Sequence, residues 1–124
     1  MTLVAGVDGC RGGWLSVKRE VGTGVVGVEV YKDGESLFWQ RSDPAVIAID
    51  IPIGLTEAGP RGCDIEARKL LGRRWPSVFP VLIRAALEAE TRAEADAIGR
   101  RIDGRGVGAQ AFGIYGKIRD VDRV

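Results

Sequence analysis

Two aspartates, Asp8 and Asp50, are the residues whose type and position most clearly suggest chemistry. Each is the first charged residue after an apolar run, and each is followed by a turn that contains glycine or proline. A lone aspartate at a strand end is more often a turn residue that bonds its own backbone. If the two runs are neighbouring parallel strands about 4.8 Å apart, however, their ends bring both carboxylates within reach of one cation. The pair therefore predicts a divalent-metal site.

The absence of histidine narrows the chemistry further. It removes the usual general base and every Ser-His or Cys-His nucleophile pair, and the two cysteines, Cys10 and Cys63, cannot form a tetrahedral zinc site alone. A mechanism in which metal ions activate water and stabilise the leaving oxygen needs neither histidine nor cysteine. We therefore predict Asp8 and Asp50 as both metal ligands and catalytic residues, with Mg²⁺ or Mn²⁺ as the cofactor.

Charge is distributed unevenly along the chain. Residues 1–60 carry 5 basic and 8 acidic side chains, whereas residues 61–124 carry 13 and 9. This division suits a site for metal and phosphate, although solvated helix faces give the same count. Four arginines follow the acidic half and can hold phosphates, namely Arg61, Arg68, Arg73 and Arg74. Asp64 and Arg68 can equally pair on a solvated helix, and Trp75 suits a core as well as a ligand platform.

The elements that would position the aspartates are strands. Residues 2–7, 14–17 and 25–31 are apolar segments separated by glycine-rich turns, and they predict a three-strand antiparallel meander. Residues 45–49 are continuously apolar, which is typical of a strand buried on both faces and favours a central, parallel position. Pairing this fourth strand with the first would place the two aspartates side by side.

Beyond the strands, the apolar period changes from two to about 3.6 and predicts helices. Asp64 suits the N-cap of the first helix and Gly72 its C-terminal stop. Thr91 and Glu94 have the spacing of a capping box, which begins another helix. Residues 111–121 show apolar positions at helical spacing, so we expect one last amphipathic helix.

The size of the chain fits one compact α/β domain over residues 1–124, because 45% of the residues are hydrophobic. The longest segment without charge, residues 106–116, is far shorter than the ~20 apolar residues that a membrane helix requires, so we expect no membrane association. Residues 1–4 carry no basic leader, and we therefore expect a cytoplasmic protein.

Several segments resemble the blocks of a known family, namely residues 4–14 (VAGVDGCRGGW), 47–55 (IAIDIPIGL), 61–68 (RGCDIEAR), 77–80 (SVFP), 110–112 (QAF) and 117–119 (KIR). The family is the domain of unknown function family 429, and the similarity covers nearly the whole chain. The resemblance implies a ribonuclease-H-like fold and a predicted nuclease in which Asp8 and Asp50 match the presumed metal carboxylates. Five residues match recurrent polar positions of the family, namely Arg11, Arg61, Asp64, Arg68 and Lys117. We predict that Arg11, Arg61, Arg68 and Lys117 bind the substrate.

The sequence departs from this family in two places. Residues 81–83 replace a proline-rich segment, and the chain ends before the family's last strand, which carries further acidic residues. A third metal ligand is therefore missing, and Asp120 and Asp122 lie at a helix end where the dipole disfavours carboxylates. Without the last strand, the strand that ends at Asp50 has an exposed edge, which predicts a homodimer or a partner along that edge.

Three functions stay open at this point. The first is a nuclease or phosphodiesterase that depends on Mg²⁺ or Mn²⁺ and acts on nucleic acid or on a phosphate ester. The second is a catalytically inactive ribonuclease-H-like domain that binds a partner, which the missing acidic strand favours. The third is phosphoryl transfer, as in the actin and sugar-kinase relatives of this fold, and it rests on fold analogy alone.

Overall fold

The computed structural model describes all residues of the chain, Met1–Val124. The chain divides into two compact units. The first consists of Met1–Ile51 together with Asp120–Val124, and the second is Pro52–Arg119. None of the helices combines the length and the apolarity that crossing a membrane requires.

The first unit is built on a four-stranded mixed sheet with the order β3-β2-β1-β4. Its strands are β1 (Leu3–Cys10), β2 (Gly13–Glu20), β3 (Val26–Tyr31) and β4 (Val46–Ile49). The first three pair antiparallel, and β4 pairs parallel to β1. The predicted meander and the predicted parallel fourth strand are thus confirmed.

Two details of this sheet differ from the prediction. β1 does not stop before Asp8 but continues to Cys10, because its last residues still pair with β2 and leave a turn of only two residues. β4 is not buried on both faces, since it lies at the sheet edge and Val46 is 58% exposed. The prediction of a central position for this strand, which rested on its continuous apolarity, is therefore wrong.

One face of the sheet is covered by helix α1 (Gly34–Phe38) and by the last residues of the chain. The core on this face consists of Val7, Trp14, Tyr31 and Leu37. The indole Nε1 of Trp14 donates a hydrogen bond to the carboxylate of Asp120 at 2.7 Å, and the backbone N–H of Gly34 donates to the same oxygen at 2.8 Å. This carboxylate therefore joins β2, α1 and the chain end.

A tight approach fixes the start of β2. Gly13 has φ +131°, and a Cβ at this position would lie 2.0 Å from the carbonyl oxygen of Tyr31. Only glycine satisfies both conditions, because other residues rarely adopt this backbone conformation. Gly13 thus allows β2 to pair closely with β3 directly after the turn.

The second unit is helical. It contains α2 (Gly62–Leu71), a 3₁₀ helix over Gly72–Ser77, a second 3₁₀ helix over Arg84–Glu88, α3 (Arg92–Asp103), α4 (Ala109–Gly113) and most of α5 (Tyr115–Asp122). Thr91 caps α3 by accepting a hydrogen bond from the Glu94 backbone N–H at 3.2 Å, which confirms the predicted start of this helix.

Two helix predictions in this unit need correction. Arg61, not Asp64, occupies the N-cap position of α2, and Asp64 lies in the first turn. The predicted single last helix is split at Ile114 into α4 and α5. Gly113 and Gly116 flank the break, and glycine is a poor helix former, so the continuous helix is disfavoured there.

Candidate metal site on the open face of the sheet

Asp8 projects from the uncovered face of the sheet. Side chains alternate along β1, so that Ala5 and Val7 are buried in the core whereas Gly6 and Asp8 are exposed on the opposite face. Because β1 continues past Asp8, this carboxylate stands on a paired strand rather than on a free turn. Its backbone position is thus fixed by the sheet.

Asp50 follows β4 directly. The paired residues of β1 and β4 end with Val7 opposite Ile49, and the backbone N–H of Asp50 then donates to the carbonyl oxygen of Val7 at 3.0 Å. Asp50 lies one position beyond the last pair on β4, as Asp8 does on β1, and neighbouring strands of a sheet are about 4.8 Å apart. Asp8 and Asp50 therefore lie at the same end of the sheet, and both are exposed.

The surroundings of the pair are apolar. The same face of β2 and β3 carries exposed apolar side chains, namely Leu15, Val17, Val26, Val28 and Val30. The row across the sheet that contains Asp8 and Asp50 continues with Leu15 and Val30. Arg19 is on this face too, but it pairs with Val4, at the end of the sheet away from Asp8. No basic side chain of the strands therefore lies next to the aspartates.

The two carboxylates are available for a ligand. One oxygen of Asp8 accepts a hydrogen bond from the backbone N–H of Gly9 at 2.9 Å, and the carboxylate of Asp50 has no protein partner. Both carboxylates are exposed to solvent, so neither is occupied by a side chain of the protein.

The donor set fits Mg²⁺ or Mn²⁺ only as an open site. No group of three or more His, Cys, Asp or Glu side chains is placed to hold a metal ion. Mg²⁺ is commonly bound by one or two carboxylates, with waters and substrate phosphate oxygens completing its octahedral shell. Asp8 and Asp50 satisfy that pattern, and their exposure leaves room for the other ligands.

Neither C-terminal aspartate completes this site. Asp120 is committed to Trp14 and Gly34 on the covered face of the sheet, whereas Asp8 and Asp50 lie on the open face. Asp122 is exposed in the last turn of α5 and has other interactions in the structure. A third carboxylate from the chain end is thus absent.

The predicted substrate-binding residues fall in both units. Arg11 occupies the β1–β2 turn in the first unit, at the same end of the sheet as Asp8, and it is exposed without an ion pair. Arg61, Arg68 and Lys117 belong to the second unit. Of these four residues, Arg11 is therefore the one that the sheet itself brings to the end where the aspartates lie.

Arg61 and Arg68 make structural contacts within the second unit. Arg61 donates two hydrogen bonds to Asp64, at 2.7 and 2.9 Å, and one to the carbonyl oxygen of Ile53 at 3.0 Å. This paired geometry raises the pKa of the Arg61 guanidinium. Arg68 donates to the carbonyl oxygen of Val78, with its closer nitrogen at 3.0 Å. The i,i+4 pair of Asp64 with Arg68, one of the two alternatives that the sequence left open, is not formed, and Asp64 makes the i,i+3 pair with Arg61 instead.

Sequence reasoning missed a polar cluster on the covered face. The ammonium group of Lys18 donates to Glu29 at 2.9 Å, to Ser42 at 2.8 Å and to the hydroxyl of Tyr31. Burial alone would lower the pKa of Lys18, but its bonds to Tyr31 and Glu29 raise it overall. All three donors are satisfied, so the cluster stabilises the sheet end and offers no free group for catalysis.

The cavities of the first unit lie away from the aspartates. A groove of about 630 Å³ runs beside the β2–β3 turn and is lined mainly by apolar atoms of residues such as Leu3, Val25 and Val26. A second cavity of about 460 Å³ is lined by Asp33, Glu35, Trp39, Asp120, Arg123 and Val124. Asp8 and Asp50 line neither cavity and instead stand on an open surface.

Comparison with known proteins yields one match. The model of the family described as "Protein of unknown function (DUF429)" matches residues 6–124. Neither the curated proteins nor the solved structures contain a match to the chain.

Proposed function

The chain belongs to the DUF429 family of proteins of unknown function, and we propose that it is a metal-dependent nuclease or phosphodiesterase acting through Asp8 and Asp50. One observation carries the proposal. Asp8 lies on the exposed face of β1, and the exposed Asp50 directly follows the parallel neighbour β4 at the same end of the sheet. The four-stranded arrangement also agrees with a ribonuclease-H-like fold, although it supports the fold more directly than the activity.

In this proposal, Mg²⁺ or Mn²⁺ supplies water activation and stabilisation of the leaving oxygen. The chain contributes the positions of the ligands. Asp8 is held by strand pairing and by the Gly9 N–H, and Asp50 is held by its backbone bond to Val7. The exposed guanidinium of Arg11, at the same end of the sheet, can bind a phosphate oxygen of the substrate.

A second candidate is a catalytically inactive domain that binds a partner. The observation that favours it is the lack of a third His, Cys, Asp or Glu ligand near the pair. An open two-carboxylate site holds a cation less firmly than a complete one. The two candidates differ in a direct way, since only the first predicts turnover.

The decisive experiment is a hydrolysis assay on single-stranded DNA, single-stranded RNA and a chromogenic phosphodiester. We expect cleavage with Mg²⁺ or Mn²⁺ and none with EDTA. Cleavage that persists in EDTA contradicts the metal mechanism. Absence of cleavage with both cations supports the inactive binding domain instead.

We also propose that a second copy of the chain pairs along the free edge of β4. This strand has a neighbour on one side only, and Val46, which is 58% exposed, brings no charge to the edge. Exposed apolar edges favour strand pairing, and a lysine on such an edge opposes it. We expect light scattering to show a dimer for the wild type and a monomer for Val46→Lys. A wild-type monomer at high concentration contradicts the proposal.

A further inference from the structure

The segment that follows α2 carries an exposed basic and aromatic surface that the proposed site does not use. Arg73, Arg74 and Trp75 are consecutive residues of the 3₁₀ helix Gly72–Ser77, and no residue of this helix is buried. The sequence left open whether Trp75 belongs to the core or to a binding surface. Trp75 is 55% exposed and is therefore not a core residue.

Charge in this part of the chain is not balanced. Residues 61–77 contain five basic and two acidic side chains. Asp64 pairs with Arg61 and Glu66 pairs with Lys69, so both carboxylates are already used. The side chains of Arg73 and Arg74 are exposed and make neither hydrogen bonds nor ion pairs. Two uncompensated guanidinium groups thus directly precede an exposed indole in the chain.

The backbone holds this surface in place. Gly72 ends α2 with φ 53°, a value that favours glycine, and reverses the chain into the 3₁₀ helix. Arg68 reaches from α2 to the carbonyl oxygen of Val78, just beyond the 3₁₀ helix. The backbone N–H of Val78 also donates to the carbonyl oxygen of Trp75 at 3.1 Å. The three exposed residues are therefore presented on a braced turn.

We propose that Arg73, Arg74 and Trp75 form a binding surface for single-stranded nucleic acid. Proteins that bind single strands without sequence preference combine cations that neutralise phosphates with aromatic rings on which bases stack. Both components are present here in consecutive residues, and their side chains make no hydrogen bonds to the rest of the protein. The evidence for this binding surface does not depend on the proposed function. The idea that the bound strand is a substrate does rest on the proposed function.

A second exposed tryptophan provides an internal comparison. Trp39 is 77% exposed, but its cavity is lined by three carboxylates and only one guanidinium, namely Asp33, Glu35, Asp120 and Arg123. Negative charge there repels phosphates, so exposure of an indole alone does not create the proposed surface. Trp39→Ala is therefore a matched control for Trp75→Ala.

The test is fluorescence anisotropy with labelled 12-nucleotide oligothymidine and oligouridine, in EDTA so that no metal-dependent step contributes. We expect Trp75→Ala to weaken binding by about 5- to 150-fold, the range of one lost stacked base. Arg73→Gln with Arg74→Gln should reduce the slope of log affinity against log salt by about 0.7 per arginine. Trp75→Ala should leave that slope unchanged.

Two controls separate this surface from general charge. Trp39→Ala should bind as the wild type does, and so should the charge-matched pair Arg19→Gln with Arg101→Gln, since both of these arginines are exposed elsewhere. All variants alter exposed side chains, and circular dichroism checks that they fold.

Three results would overturn the inference. The first is equal affinity and equal salt slope for the wild type and the Trp75 and Arg73/Arg74 variants. The second is an equal loss of affinity in the controls. The third is no oligonucleotide binding together with self-association that Trp75→Ala abolishes, which would identify a protein interface that includes the 89% exposed Leu70. Because metal is absent, each result is independent of whether the chain is a hydrolase.

Discussion

Replacing Asp8 and Asp50 together with asparagine is expected to lower metal-dependent hydrolysis by more than ~100-fold. Even partners in the outer shell of a metal site cost ~10- to 100-fold in affinity or activity when they are lost, and direct ligands should cost at least as much. Asparagine keeps the shape of both side chains and removes both charges. The measurement is the initial rate at saturating Mn²⁺, followed by a Mn²⁺ titration of each variant.

A stability measurement distinguishes this effect from misfolding. Asp8 and Asp50 are exposed like charges on adjacent strands, so their neutralisation should leave the free energy of unfolding unchanged or slightly raised. Asp43→Asn is the matched control, because Asp43 is an exposed carboxylate of the same unit and its φ of 42° is tolerated by asparagine. Unchanged hydrolysis in the double variant would contradict the assignment of the site.

Replacing Trp14 with alanine is expected to lower the free energy of unfolding by about 3–5 kcal/mol. Trp14 is fully buried in the core beneath the sheet, and its loss leaves a cavity that the strands cannot close. Trp14→Phe retains most of the ring but loses the bond from Nε1 to Asp120, so we expect about 1–3 kcal/mol for this variant. Urea denaturation followed by circular dichroism measures both changes.

The control for this prediction is Trp39→Ala, which removes the same side chain from an exposed position. Its free energy of unfolding should stay within ~0.5 kcal/mol of the wild type, as is usual for surface substitutions. Similar values for Trp14→Ala and Trp39→Ala would contradict the described core. Since Trp14 supports β2 and α1, its loss should also weaken the sheet that positions Asp8.

Much of the first unit was predictable because its signals are local. Short apolar segments separated by glycine-rich turns predicted the meander, and the continuous apolarity of residues 45–49 predicted a strand parallel to the first. The edge position of β4 could not be read from its residue types, because Val46 and Ala48 are apolar although they are exposed, and only the comparison with the family's last strand predicted an exposed edge there. The open face of β3 also carries apolar side chains that are exposed. In this sheet, an apolar residue type therefore does not indicate burial.

The contacts of the arginines could not be derived from spacing. Asp64 can form an ion pair with Arg61 at i,i+3 spacing or with Arg68 at i,i+4 spacing, and the sequence does not indicate which pair forms. In the structure Arg61 precedes α2 and folds onto Asp64, while Arg68 is used by the distant carbonyl of Val78. Choices of this kind depend on tertiary neighbours rather than on local propensity.

The exposure of Trp75 was likewise open in the sequence, because tryptophan occurs both in cores and at binding surfaces. The structure places it on a 3₁₀ helix without buried residues. Gly72 was predicted as the end of α2 and is confirmed there, but the 3₁₀ helix that follows leaves no apolar periodicity in the sequence. The exposed turn therefore emerged only from the structure.

The proposed activity requires a cation shared between the carboxylates of Asp8 and Asp50. The most direct measurement is a crystal structure of the protein soaked in Mn²⁺, with anomalous data collected at the manganese edge. We predict an anomalous peak within about 2.0–2.6 Å of one oxygen from each carboxylate, with water completing the shell. No peak there, or a peak that is unchanged in Asp8→Asn with Asp50→Asn, would contradict the account.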